Sequence, residues 1–449
     1  MKLIKLLCMV LSFTAALADC GDASKEENLS FMDTIPDVIF TGESEGSYFS
    51  VGLGASGDLN GDGYADIVIG APNHNNFRGR VYIHLGGKDI SSVPDMILTG
   101  ETDETRLGQR VALGDVNNDG YDDLLTGGWG YKFRQGRAYL YYGGKNFDGT
   151  CDKVFEAETG TKSGFGFEVA LGDVNNDGYA DLAIYADAYN SEQGRVYLYY
   201  GASGKEMDTT PDKIFDGEQP HSKFGRYLII GKDVDGDGYG DLLVGAPLWN
   251  GERGRAYLYY GGPDTSMDTT ADLIFTGEQA GDRFARDIGL GDINGDGRAD
   301  IVIGAARYKV GQGRVYIYYG DTNRANIGSC DLTITGEPSP NRADFGIGVV
   351  VADVNGDEYN DLLIGGDDYP DSKYRGRVYL YYNNGGPRFD VTPDLIFTGE
   401  TTRINFGRFM DVGDVDNDGY NDIVIGAWSY PNKACKGRAY LYYGGPKKQ

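Results

Sequence analysis

The sequence predicts an all-β fold, a seven-bladed β-propeller with four antiparallel strands per blade and an N-terminal strand completing the last blade. Three observations carry this reading. An aspartate-rich nonapeptide recurs seven times; four short strand-like segments fill each interval; and the chain begins with a fourth-strand segment and finishes after a third-strand one.

The nonapeptide starts at Asp58, Asp115, Asp173, Asp233, Asp292, Asp353 and Asp414, at spacings of 57, 58, 60, 59, 61 and 61 residues. A short segment such as Val51 to Ala55 precedes it, and an apolar run such as Ile67-Val68-Ile69 follows. A Gly-Arg-Val-Tyr or Gly-Arg-Ala-Tyr sequence then opens an alternating, tyrosine-rich run such as Arg195 to Tyr200, and a segment like Asp394 to Glu400 closes the unit. These runs are short, β-branched and aromatic, bounded by glycine, and no stretch sustains a helical period. A linear solenoid would need distinct polar caps. Instead, Pro36 to Glu43 supplies the strand missing after Gly437 to Tyr443, so the ring closes on itself. Every third strand opens with arginine and every fourth ends in glutamate. Pairing within blades would join Arg80–Glu101, Arg137–Glu158, Arg195–Glu218, Arg255–Glu278, Arg314–Glu337 and Arg377–Glu400, and closure would join Arg438 to Glu43.

The predicted organisation is a signal peptide over 1–18, a flexible lead-in over 19–35 and the propeller over 36–446. Lys2 and Lys5, the apolar run Leu6 to Ala16 and Ala16-Leu17-Ala18 make the export signal, and export implies a secreted or cell-surface chain. No run of eighteen apolar residues follows, so no membrane span is expected. Removing the two leader lysines takes the net charge from −27 to −29, which argues against nucleic acid and anionic membranes as partners. With 40% hydrophobic and 12% aromatic residues, the acidity does not signal disorder. Four cysteines remain after cleavage, Cys20, Cys151, Cys330 and Cys435. Four cysteines allow three pairings, which the sequence leaves open; closure favours Cys20–Cys435, because Cys20 precedes the strand that joins the last blade and Cys435 lies in that blade's loop. Asn28-Leu29-Ser30 is a glycosylation sequon in the lead-in.

Within each nonapeptide, oxygen side chains stand at positions 1, 3, 5 and 9, with a backbone carbonyl available at position 7. The candidate ligands are Asp58, Asn60, Asp62, Tyr64 and Asp66 in the first loop, and Asp115, Asn117, Asp119, Tyr121 and Asp123 in the second. They are Asp173, Asn175, Asp177, Tyr179 and Asp181 in the third, and Asp233, Asp235, Asp237, Tyr239 and Asp241 in the fourth. The fifth offers Asp292, Asn294, Asp296, Arg298 and Asp300; the sixth Asp353, Asn355, Asp357, Tyr359 and Asp361; the seventh Asp414, Asp416, Asp418, Tyr420 and Asp422. Ca²⁺ takes six to eight hard oxygen ligands in a flexible shell, and this spacing wraps a tight turn round one ion. An EF-hand is excluded because position 12 is Ile69 in the first loop and Thr126 in the second, where a glutamate is needed. Up to seven Ca²⁺ ions are expected. The sixth site should be weakest, because Glu358 replaces the glycine that takes a positive φ.

These features together resemble the FG-GAP repeat of integrin α-subunit propellers, found also in the glycosylphosphatidylinositol-specific phospholipase D family. Phe165-Gly166, Phe224-Gly225, Phe345-Gly346 and Phe406-Gly407 match the first pair of the motif; Gly70-Ala71-Pro72 and Gly245-Ala246-Pro247 match the second. The resemblance implies that the metal loops join strands 1 and 2 on one face. It places partner-binding loops, joining strands 2 to 3 and 4 to 1, on the other. Integrin propellers usually carry complete metal loops in only some blades, whereas all seven are complete here.

The 2–3 loops carry the candidate partner-binding residues Trp129, Tyr131, Tyr189, Trp249, Tyr308, Tyr369, Trp428 and Tyr430. Loop aromatics offer contact area with a polar handle, and they pack equally well between blades. The expected role is recognition or adhesion through an extracellular protein or glycan ligand, with a carbohydrate-binding lectin as the alternative. No catalytic constellation stands out. His74 and His221 lie in loops and His84 replaces a strand tyrosine, so the expectation is a chain that is not an enzyme.

Overall fold

A computed structural model describes residues 31–157, 162–203, 207–263, 266–338, 342–369, 374–383, 385 and 389–446. The signal peptide, Asn28 and Cys20 therefore lie outside the described residues, and the Cys20–Cys435 pairing with them. Cys151, Cys330 and Cys435 are free thiols.

Among the described residues, twenty-eight strands form seven four-stranded antiparallel sheets. Each second strand, such as Asp66–Ala71 or Asp422–Ala427, is buried along its whole length, which is why these runs read as continuous apolar sequence. Each third strand alternates, Val81 and Ile83 packing on one side of the sheet and Tyr82 on the other. The Phe of each Phe-Gly pair meets a third-strand tyrosine edge-on: Phe165 lies 5.2 Å from Tyr197 and Phe406 5.5 Å from Tyr440. Where the fourth strand carries a Phe, in five of the seven blades, it instead packs on the next blade, as Phe155 does on Tyr199. In blade 1 this place belongs to His84, against Phe40. Its imidazole is pushed down to about 4, mainly by burial. The glycine spacing follows from the tight blade contacts. A Cβ on Gly70 would lie 2.0 Å from the Gly108 carbonyl oxygen of blade 2.

The ring closes as the sequence predicts. Val38–Thr41 pairs antiparallel with Arg438–Tyr442, Val38 opposite Leu441 and Thr41 opposite Arg438. Asp37 accepts a hydrogen bond from the Tyr443 amide at 2.9 Å, as Asp95 does from Leu85 at the matching place in blade 1.

The ion pairs differ from the within-blade expectation. Arg438 pairs with Glu400, not Glu43, at 2.6 Å, and Arg80 pairs with Glu43, not Glu101, at 2.7 Å. Likewise Arg137 pairs with Glu101, Arg255 with Glu218, Arg314 with Glu278 and Arg377 with Glu337. Arg195 pairs with Asp216 rather than Glu218, and Glu158 lies outside the described residues. The shift is by one blade. In five blades strand register places a threonine, not the glutamate, opposite the arginine, as Thr41 faces Arg438, and in blade 3 it places Asp216 opposite Arg195. Gly42 then lies so close to Lys436 that a Cβ would sit 2.2 Å from its carbonyl oxygen. The chain turns away there, and Glu43 lands beside the following blade. Arg137 also pairs with Glu156 of its own blade, and the other arginine–glutamate pairs of this set stitch neighbouring blades.

Candidate functional site: aspartate loops and the opposite channel mouth

All seven nonapeptides join first and second strands, so they share one face. The position 9 aspartate is fully buried in each. Its carboxylate accepts two backbone N–H groups at 2.6–2.9 Å, one from position 2 and one from the second residue after the third strand, as Asp66 does from Leu59 and Gly86; Asp300 accepts a third, from Asn294. The position 1 carboxylate gathers the loop's own amides: Asp58 accepts from Gly61, Asp62 and Gly63. Position 6 has φ between 84° and 93° where it is glycine, and Glu358 is held at 70° in the sixth loop. Neighbouring loops are chained together. The Asp122 amide donates to the Asp58 carbonyl, and the Ala65 amide to the Asp414 carbonyl across the closure.

Burial raises every position 9 carboxyl, to about 7 for Asp66, Asp123 and Asp300 and to about 8 for Asp181, Asp241, Asp361 and Asp422. Desolvation is the main cause and the neighbouring loop carboxylates add to it. In loops 4 and 7 the side chains at positions 1, 3 and 9 (Asp233, Asp235 and Asp241; Asp414, Asp416 and Asp422) each bring an oxygen within 4.8 Å of the others. An all-oxygen donor set that is crowded, buried and pushed towards neutrality fits a hard divalent cation. Two loops differ in having a resident cation. Arg324 pairs with Asp235 and Asp237 of loop 4, and Arg298 pairs with Asp296 of loop 5.

On the other face, the predicted partner-binding aromatics separate into two groups. Tyr131, Tyr189, Trp249, Tyr308, Tyr369 and Tyr430 each lie beneath the arginine that opens the third strand of their blade, at 3.5–4.5 Å from ring centroid to guanidinium. One face of each ring is thus occupied within the blade. Trp129 and Trp428 stand two residues earlier in the loop and turn inward, where both line a cavity of 290 Å³ at the mouth of the central channel. Sequence reading missed the arginines there. Arg226, Arg286 and Arg408 each directly follow a Phe-Gly or Phe-Ala pair, a recurrence visible in three of the seven units. A second feature it missed is the buried cluster Asp344, Asp367 and Asp368, which Arg342 faces: its Nε donates to Asp344 at 3.1 Å and lies 3.9 Å from Asp368.

Comparison with known proteins follows the same architecture. The FG-GAP repeat model matches residues 52–84, 107–141, 165–199, 224–259 and 284–318, and the FG-GAP-like repeat model matches 353–425. Phosphatidylinositol-glycan-specific phospholipase D of Rattus norvegicus is 26% identical over 80% of this chain and 48% of its own length. The Homo sapiens protein of that name is 27% identical over 72% and 43%. Integrin alpha-5 of Xenopus laevis is 34% identical over 44% of this chain and 20% of its own length. A solved structure, "Structure of Dos1 propeller", aligns over 89% of this chain and 86% of that one, with 13% identity and a TM-score of 0.48. The chain spans about half the length of the phospholipases it matches. Their names contradict the expectation that the chain is not an enzyme: the relatives matching most of it are named as an enzyme, phosphatidylinositol-glycan-specific phospholipase D. Among the described residues, no helix is long and apolar enough to cross a membrane. On its repeats, its loops and its closed seven-bladed ring, the chain belongs to the FG-GAP repeat family.

Proposed function

We propose that this chain is an exported recognition propeller whose aspartate loops bind Ca²⁺ and whose opposite face meets an extracellular protein ligand, in adhesion or a similar contact. The observation that carries this reading is the division of labour between the faces. One repeats the same loop seven times, each ending in a fully buried aspartate. The other varies from blade to blade and brings Trp129 and Trp428 to a shared cavity. Ca²⁺ would supply the positive charge that the crowded carboxylates lack, through the side chains at positions 1, 3, 5 and 9 and the carbonyl at position 7. The protein's own contribution is to preorganise those oxygens, which the backbone hydrogen bonds to positions 1 and 9 already do.

The relatives favour a second reading, in which the propeller serves as the recognition part of a phospholipase acting on phosphatidylinositol-glycans. An affinity capture from extracellular material, run with and without a Ca²⁺ chelator, tests the first reading. A partner retained only with Ca²⁺ and released by changes at Trp129 or Trp428 is the expected result. Retention of a phosphatidylinositol-glycan in place of a protein would move the assignment to the second.

A further inference from the structure

The mouth of the channel is unlike the rest of this acidic molecule. Its 290 Å³ cavity is lined by four arginines, Arg106, Arg110, Arg226 and Arg408, and by no carboxylate. It continues inward into a second cavity of 240 Å³, which shares Val51, Arg110, Arg408 and Phe409 with it and adds Arg286. Four like charges converging on one opening in a chain of net charge −27 demand a counter-charge.

The protein supplies only part of it. Glu168 takes both its oxygens to Arg110 Nε at 2.9 Å, Asp187 reaches Arg226 at 3.4 Å, and the buried Asp367 is the nearby counter-charge to Arg408 and Arg286. The two other carboxylates of the inner cavity are committed to backbone. Asp287 accepts from the Val349 amide at 2.9 Å and Asp411 from the Ala55 amide at 2.7 Å, each tying its blade to the next. Burial also raises them, to about 7 and about 6, which weakens them as counter-ions at neutral pH. Nη1 of Arg286, Nε of Arg408 and Nε1 of Trp428 are buried without a hydrogen-bond partner. Each is a donor that an oxygen ligand would satisfy.

We propose that the mouth of the central channel is an oxyanion site, taking a carboxylate or a sulfate or phosphate ester that projects from the partner. A neutral sugar is disfavoured because each ring already carries a stacked group on one face. Arg106 lies 4.7 Å over Trp129, Arg226 4.1 Å over Phe167 and Arg110 4.7 Å over Phe409, while Tyr48 stacks on Trp428 at 5.2 Å. Stacking occupies the guanidinium planes and leaves their N–H edges for an oxyanion, the geometry in which arginine binds best. The identity of the carrier rests on the recognition reading above; the anion site itself does not.

The test uses tryptophan fluorescence of the full chain carrying Trp249→Tyr, so that only Trp129 and Trp428 report. Probes are inorganic sulfate, inorganic phosphate, a blocked glutamate-rich peptide and its glutamine counterpart, all at constant ionic strength. A saturable change with at least one oxyanion, absent with the glutamine peptide and weakened about tenfold by Arg226→Gln, is expected. A preference for the peptide assigns a carboxylate, and a preference for sulfate or phosphate assigns an ester. No saturable change below about 50 mM of any anion, or an equal response to the glutamine peptide, would overturn the site. Arg106→Gln, at the outer rim, repeats the test should Arg226→Gln not fold. Anion binding without protein capture would refute only the recognition reading, and capture without anion binding only the site.

Discussion

The two faces of the propeller handle charge in opposite ways. On the aspartate face, the same solution is repeated in seven blades: a loop of carboxylates whose ninth position is buried and accepts the same two backbone amides throughout. On the channel-mouth face, the arginines come from blades 2, 4, 5 and 7, and the equivalent places in other blades hold residues such as Phe167 and Ile347. A feature repeated in every blade stabilises the unit, because each unit needs it alone. One that exists only when several blades come together can recognise something, because closure alone creates it.

Removing the metal should give the largest effect. If several sites are filled, each at about 100 times its dissociation constant, each adds about 2.7 kcal/mol to the folded state. A chelator is therefore expected to lower the thermal midpoint by well over 10 °C, by about the amount that summed stabilisation predicts. Calorimetry with and without chelator measures it; an unchanged midpoint would end the structural role of the loops.

Next in size is the buried aspartate itself. Asp422→Asn keeps the shape but leaves one acceptor oxygen for two amides, those of Val415 and Gly444. One amide then faces an NH₂ group, at a cost of about 1–3 kcal/mol even without metal. The bound-ion count should also fall by one, which titration calorimetry reads. A variant as stable as the parent in chelator would show that the backbone bonds are not what the buried carboxylate provides.

A finer comparison is between loops 4 and 7, the two with aspartate at position 3. Their donor triads match, yet only loop 4 has Arg324 against Asp235 and Asp237. Because this arginine and an ion compete for the same oxygens, Arg324→Gln should strengthen one Ca²⁺ site by about tenfold. That is a modest share of the roughly 4 kcal/mol that unit charges exchange at 4 Å near a surface. The same change should leave the seventh site untouched. An unaltered isotherm would mean that Arg324 swings away on binding.

Sequence alone showed the repeat, the strands, the closure and the spacing of the loop oxygens, because each is encoded within one unit or between the two ends. It did not show the arginine mouth. Arg226, Arg286 and Arg408 lie about sixty residues or more apart, and only the ring geometry makes them neighbours. Nor did it show that loop 4 is already countered, since Arg324 sits in the next blade. The aromatic loop residues were visible, but not their division. Two register positions separate Trp428, which faces the cavity, from Tyr430, which lies under Arg438.

The smallest expected effect concerns the blade seams, where the pairing pattern departs from the sequence expectation. Glu400 accepts from Arg438 and also from the Tyr440 hydroxyl at 2.9 Å, and Arg438 covers Tyr430. Because Glu400 is substantially exposed, Glu400→Gln should destabilise by about 0.2–1 kcal/mol. The interblade assignment is sharpened by a double-mutant cycle. Arg438→Gln combined with Glu400→Gln should show coupling, whereas Arg438→Gln combined with Glu43→Gln should be additive within about 0.5 kcal/mol. Coupling of Arg438 to Glu43 instead would restore the within-blade pattern and remove the reason Gly42 must bring the chain so close to Lys436 before it turns. The seam charges at this rim would then hold strands within a blade, and blade-to-blade contact would fall to apolar packing, backbone contacts and the inner carboxylates such as Asp287 and Asp411.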